Sequence, residues 1–116
     1  MDIKQKGKFY EEKAKEFLIQ KGYSFIDENF SCKYGEIDLI FKDCNTLVIV
    51  EVKARKKKIG FEIKKSMDKK KVKRILKSTE TYIAKNRIFF DEIRFDAIFF
   101  ETVGEKYEIL HFINWI

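Results

Sequence analysis

The chain contains no proline and a single histidine, His111. The lack of proline argues against a linker-rich chain, and one histidine argues against a His/Cys zinc site. Cysteine is scarce as well. Cys32 and Cys44 have neither CxxC spacing nor enough company for a disulfide framework. No uncharged apolar run approaches the roughly 18–20 residues that a membrane span requires. The first residues, MDIKQKGKFYEEK, are charged and helical in pattern, which argues against a secretory signal. Together these absences lead to the expectation of a reducing cytoplasm and no membrane partner.

What is present is aromatic and basic. Twelve Phe, five Tyr and plentiful Ile supply a core, and 116 residues suit one domain spanning 1–116. Net charge is +6, unevenly spread. Between Lys53 and Lys77 thirteen Lys/Arg face two acids, a local balance of +11, which leaves −5 for the rest. So dense a patch is a candidate electrostatic footprint for a polyanion. The bland alternative is a solvated Lys-rich loop and helix face.

Along the chain, Tyr10, Ala14, Phe17 and Leu18 fall on one face of a helix over about residues 3–21, and Gly22 is placed to cap it. At helical spacing Glu11 borders the buried face, whereas Glu12 and Glu16 point away. Residues 23–30 alternate loosely, as an edge strand would. Two apolar runs follow, Glu36 to Phe41 and Leu47 to Lys53, joined by a turn with Cys44-Asn45 at its tip. Period two puts Ile37, Leu39 and Phe41 on one face, with Glu36, Asp38 and Ile40 on the other. Residues 55–67 lack a clean period and predict a flexible basic loop. Asp68 can cap a second helix over about 69–86, with a stripe of Val72, Ile75, Leu76, Thr79 and Ile83. Runs over 90–100 and 107–113, split by a turn at Gly104-Glu105, predict two last strands. The order α-β-β-β-α-β-β predicts an α/β sandwich with a mixed sheet.

The chemistry concentrates in the hairpin. A tip at Cys44-Asn45 sets Asp38 across from Glu51 and Glu36 across from Lys53. Cross-strand partners lie about 4.5–5.5 Å apart at Cβ, so two carboxylates there repel and pay for desolvation too. A shared proton or a bound divalent cation offsets that cost. Oxygen-rich sites suit hard ions such as Mg²⁺ or Mn²⁺, which keep waters for substrate phosphates. Lys53 follows Glu51 by two residues on the same strand face. There it can orient or deprotonate an attacking water, or stabilise charge on phosphorus. The alternative is an ion-pair cluster without catalysis, for example Glu36–Lys53 with Asp38–Arg94.

Asp38 followed by Glu51-Val52-Lys53 after a hairpin resembles the PD-(D/E)xK motif of the restriction-endonuclease-like superfamily, whose core is α-β-β-β-α-β. Nearly end to end the chain is also similar to the uncharacterised bacterial YraN-like family. The marks are Gly7, Glu11, Ala14 and Leu18, Gly22-Tyr23, Asn29-Phe30, GEIDLI, VEVKAR, Lys71 with Arg74 and Ile75, Arg94-Phe95-Asp96, and His111 in a closing strand. The resemblance implies Asp38 and Glu51 as metal ligands, Lys53 as the catalytic lysine, and Glu11 as the first-helix acid of the Holliday-junction-resolvase-like branch. It also implies supporting places for Glu36 and Arg55. The family usually has Gly just before the helix acid, where this chain has Tyr10. The expected activity is Mg²⁺-dependent (or Mn²⁺-dependent) phosphodiester hydrolysis, structure-selective on DNA. Lys56, Lys57, Lys58, Lys70, Lys71 and Arg74 would contact the backbone, and one small domain offering one site is compatible with a homodimer. The alternatives are a nucleic-acid-binding module that keeps the fold without turnover, and a domain whose basic segment contacts an acidic protein.

Overall fold

The computed structural model describes residues 2–57 and 68–116. They form helix α1 (Ile3–Gln20), strands β1 (Ser24–Cys32), β2 (Gly35–Asp43) and β3 (Thr46–Lys56), helix α2 (Lys69–Lys85), and strands β4 (Glu92–Val103) and β5 (Lys106–Phe112). The α-β-β-β-α-β-β order is the one the sequence predicts. The strands make one sheet in the order β1-β2-β3-β4-β5, antiparallel except for the parallel pair β3–β4, between which α2 lies in sequence. No helix among the described residues is long and apolar enough to cross a membrane.

Local chemistry fixes the helix ends. Asp2 accepts from the Gln5 N–H at 2.8 Å and the Gln5 side chain accepts from the Asp2 N–H at 3.0 Å, a reciprocal cap. At the other end Gly22, with φ +93°, turns the chain out of α1. Its N–H reaches the Ile19 carbonyl, and the Tyr23 N–H reaches that of Leu18. Asp68 caps α2 by accepting from the Lys71 N–H at 2.7 Å.

The sheet is apolar on both faces, and each helix covers one. On the α1 side Ala14 and Leu18 pack with Leu39, Phe41, Val48, Val50, Ile98 and Phe100, joined by Tyr10, Phe17 and Val52. On the α2 side Ile37, Ile40, Leu47 and Ile49 meet Ile75 and Tyr82. Each fully buried Leu, Ile or Phe contributes about 1.5–3 kcal/mol relative to exposure, so these two layers dominate the favourable side of folding.

Three expectations need correction. The packing stripe of α2 is rotated: Ile75, Ser78, Thr79 and Tyr82 are buried, while Leu76 is 40% exposed. The polar members are admitted because each finds a partner: the Cys32 Sγ for the Ser78 hydroxyl at 3.5 Å, Asp27 for the Tyr82 hydroxyl at 3.1 Å, and the Ile75 carbonyl of the same helix for the Thr79 hydroxyl at 2.8 Å. Second, Arg55 and Lys56 belong to β3 rather than to a loop. β4 runs on to Val103 and supplies a pairing edge, matching Arg55 with Glu101 and Lys56 with Thr102. The rest of the predicted basic loop, 58–67, lies outside the described residues. Third, Ile37 packs on the α2 side with Ile40, not with Leu39 and Phe41. Alternation in β2 therefore breaks at Asp38.

Candidate active site at a fork in the sheet

The hairpin pairs in the predicted register from Asp43–Thr46 through Leu39–Val50, and there the pairing stops. Beyond that point β2 stays with β1, matching Glu36 to Ser31 and Gly35 to Cys32. β3 stays with β4, matching Glu51 to Ala97 and Lys53 to Phe99. The sheet thus forks at the level where continued pairing would set Asp38 against Glu51, the like-charge contact the sequence flags as costly.

Asp38 fills the fork. Its Oδ2 accepts from the Val52 N–H at 2.8 Å, so a side chain takes over a backbone donor that the departing strand leaves behind. Val50 and Val52 pack on the α1 side, which turns Glu51 and Lys53 to the α2 side. Asp38 lies where the Glu11 side chain of α1 interacts with it and the Glu51 charge repels it. Glu11 is half-buried, as its border position predicts.

The electrostatics record the strain. Burial pushes the Asp38 carboxyl up from 3.8 to about 7, with Glu51 adding to the rise and the Val52 N–H opposing it. Burial also raises Glu11, reinforced by the charge of Glu36. Lys53 is lowered, first by burial and then by the neighbouring Lys71, against the pull of Glu51. Lys71 Nζ meets Glu51 Oε1 at 2.9 Å.

A cleft of about 280 Å³ opens on the α2 side, lined by Tyr34, Glu36, Glu51, Lys71 and Arg74 among others. A second, of about 260 Å³, opens on the α1 side between Lys6, Gly7, Tyr10, Glu11, Val52 and Ala54. Tyr10 tilts its ring onto Phe100 at 4.8 Å while still lining that second cleft.

The other sequence-predicted residues divide. Glu36 is exposed and accepts from the Ser31 hydroxyl at 3.4 Å, and no ion pair joins it to Lys53 among the described residues. Arg55 is half-buried in β3 and its carbonyl accepts from the Thr102 hydroxyl at 3.3 Å. Lys56, Lys57, Lys70 and Arg74 are exposed. Lys71 pairs with Glu51 in the acidic cluster, and Lys58 lies outside the described residues. Sequence reasoning missed that role of Lys71. The signal was its spacing, four residues before Ile75 on the true packing stripe.

Arg94 does not partner Asp38. It grips Asp96 with two bonds of 2.9 and 3.0 Å, and reaches Asp43 at 3.3 Å and the Tyr23 hydroxyl at 2.8 Å. Asp96, 2% exposed, is completed by His111 Nε2 at 2.8 Å and the Asn114 N–H at 3.0 Å. Lys21 donates to His111 Nδ1 at 2.9 Å, so Nε2 carries the proton that faces Asp96. Burial would raise Asp96, but the bonds from His111, Arg94 and Asn114 outweigh it and hold the carboxyl below its ordinary value.

Among the described residues no three or more His, Cys, Asp or Glu side chains form a ready-made metal cage. The donor set at the fork is nonetheless of the right kind. Mg²⁺ is usually held by one or two carboxylates with water completing its shell, and Asp38 and Glu51 are two carboxylates whose mutual repulsion a cation would relieve.

Residues 10–100 match the model of the uncharacterised protein family UPF0102. A UPF0102 protein of Persephonella marina (strain DSM 14350 / EX-H1) is 43% identical over 94 residues, covering 80% of each chain. One from Sulfurihydrogenibium sp. (strain YO3AOP1) is 40% identical over 98 residues, 84% of this chain and 85% of that protein. One from Marinomonas sp. (strain MWYL1) is 37% identical over 113 residues, 97% and 86% respectively. The matched span takes in Glu11, the whole fork and the basic α2. The chain belongs to the uncharacterised protein family UPF0102.

Proposed function

We propose that this protein is a metal-dependent nuclease of the PD-(D/E)xK type that hydrolyses phosphodiester bonds in DNA. The observation that carries the reading is the fork. Asp38 is held in it with its carboxyl pushed up to about 7, between Glu11 and Glu51, with Lys53 next to Glu51 and Lys71. A buried carboxylate cluster with excess negative charge is stable only with a proton or a cation, and Asp38 and Glu51 would hold Mg²⁺ or Mn²⁺. When bound, such an ion supplies Lewis acidity at the scissile phosphate and a more acidic water.

The chain's own residues do the rest. Lys53, with its ammonium destabilised by burial and Lys71, is suited to exchange a proton with the attacking water or to stabilise charge on the phosphorus. Glu11 borders the cluster from α1 and orients Asp38. Exposed Lys56, Lys57, Lys70 and Arg74 contact the sugar-phosphate backbone, which positions a substrate without reading its bases. Selection by DNA structure follows from that contact set.

Cleavage of branched, linear and single-stranded DNA with Mg²⁺ tests the reading. Lys53→Ala and Asp38→Asn should each lower the rate by at least about 100-fold, the scale of a general acid–base or electrostatic group. Cleavage that survives both substitutions identifies a contaminant. Metal-dependent DNA binding without cleavage would favour a binding module on the same fold.

A further inference from the structure

We infer that Lys71 is a stand-in cation for the fork, which a divalent ion must displace from Glu51 and which then serves as a phosphate ligand. The inference rests on the metal reading above. Lys71 Nζ lies 2.9 Å from Glu51 Oε1, with the two side chains only 20% and 17% exposed. Its backbone has little freedom. The Lys71 N–H is bonded to the cap residue Asp68, and one, two and three turns further on Ile75, Ser78 and Tyr82 anchor α2 to the sheet. The four-carbon stem is the mobile part.

The cleft it occupies contains Glu51 and Glu36 on the strand side and Arg74 on the helix side. With Lys71 on Glu51, one carboxylate of the fork is neutralised by an ammonium. A divalent ion at Glu51 repels an ammonium at that distance, and the low exposure leaves the repulsion weakly screened. The released ammonium stays in the same cleft beside Arg74, where two cations face one phosphate group. Metal and substrate binding are thereby coupled: each favours the arrangement in which Lys71 has left Glu51.

Mn²⁺ titration by calorimetry and by the EPR signal of free Mn²⁺ tests this on wild type, Lys71→Met and Glu51→Gln. Lys71→Gln is added as a second neutral variant in case Lys71→Met fails to fold. Removing the ammonium should tighten Mn²⁺ binding on the order of tenfold, although no ligand is added. In the same variants, duplex binding measured with Ca²⁺ and with EDTA should lose its divalent-ion enhancement. Unchanged or weaker Mn²⁺ affinity in both neutral variants, with wild-type binding abolished in Glu51→Gln, overturns the inference and leaves the metal reading standing. Absence of Mn²⁺ binding in every variant overturns both.

Discussion

The Arg94–Asp96–His111 cluster and the Glu11–Asp38–Glu51 cluster both bury carboxylates against the same sheet, yet their charges are settled in opposite ways. Asp96 receives four hydrogen bonds from Arg94, His111 and Asn114, and is held below its ordinary value despite burial. Asp38 receives the Val52 N–H, and is pushed up to about 7. The first cluster closes on itself and ties the segment after β5 to β4. The second carries like charge against like charge, which folding alone does not favour. Burial alone does not set the charge of either carboxyl; the sign of the compensation does.

The sharpest way to break that contrast is at Asp96. Asp96→Ala strands a buried guanidinium and imidazole without their acceptor, and should cost about 3–5 kcal/mol in denaturant titrations. A loss under about 1 kcal/mol would show that the network is not structural.

Asp38→Asn should act in the other direction. The folded carboxyl titrates near 7 rather than at its ordinary 3.8. Between about 3.8 and about 7 the folded chain keeps a proton that the unfolded chain has lost, so the stability this contributes is full below about 3.8 and lost progressively as pH rises through about 7. Asparagine can still accept from the Val52 N–H but cannot ionise. The variant should therefore equal wild type near pH 3, pull ahead as pH rises from about 4, and exceed it by about 4 kcal/mol at pH 8. Parallel stability curves between pH 5 and 8 would contradict the assignment. The smallest effect belongs to the rim of the closed network. Lys21→Ala removes the exposed donor to His111 and should cost less than about 1 kcal/mol by thermal denaturation.

Much of this architecture is legible in the chain. Helical spacing of Tyr10, Ala14 and Leu18 gives α1 and the border place of Glu11, and the Cys44-Asn45 turn gives the hairpin register as far as Leu39–Val50. What periodicity does not carry is where a ladder ends. Alternation extrapolated to Asp38 and Glu36 assumes strands that stay together, whereas repulsion between the facing carboxylates is itself a reason for them to part. The rotated stripe of α2 is hidden for a related reason. Leu76 is more apolar than Ser78, but only the sheet shows that Ser78 has the Cys32 Sγ to meet. That rotation is what brings Lys71 to Glu51. Arg94 likewise has several acidic candidates in sequence, and its true partners come together only across β2, β4 and the chain preceding β1.

The bond from Val52 to Asp38 has a consequence for observing the molecule. A backbone proton in the middle of a strand normally reports on its neighbour's main chain; this one reports on a carboxyl oxygen. Its exchange with solvent and its amide resonance are therefore tied to where that oxygen points. The strand carrying Glu51 and Lys53 keeps its ladder to β4 throughout, so the signal would register the turning of one side chain against a fixed frame. One amide thus serves as a gauge of the site's state, legible without substrate and without turnover.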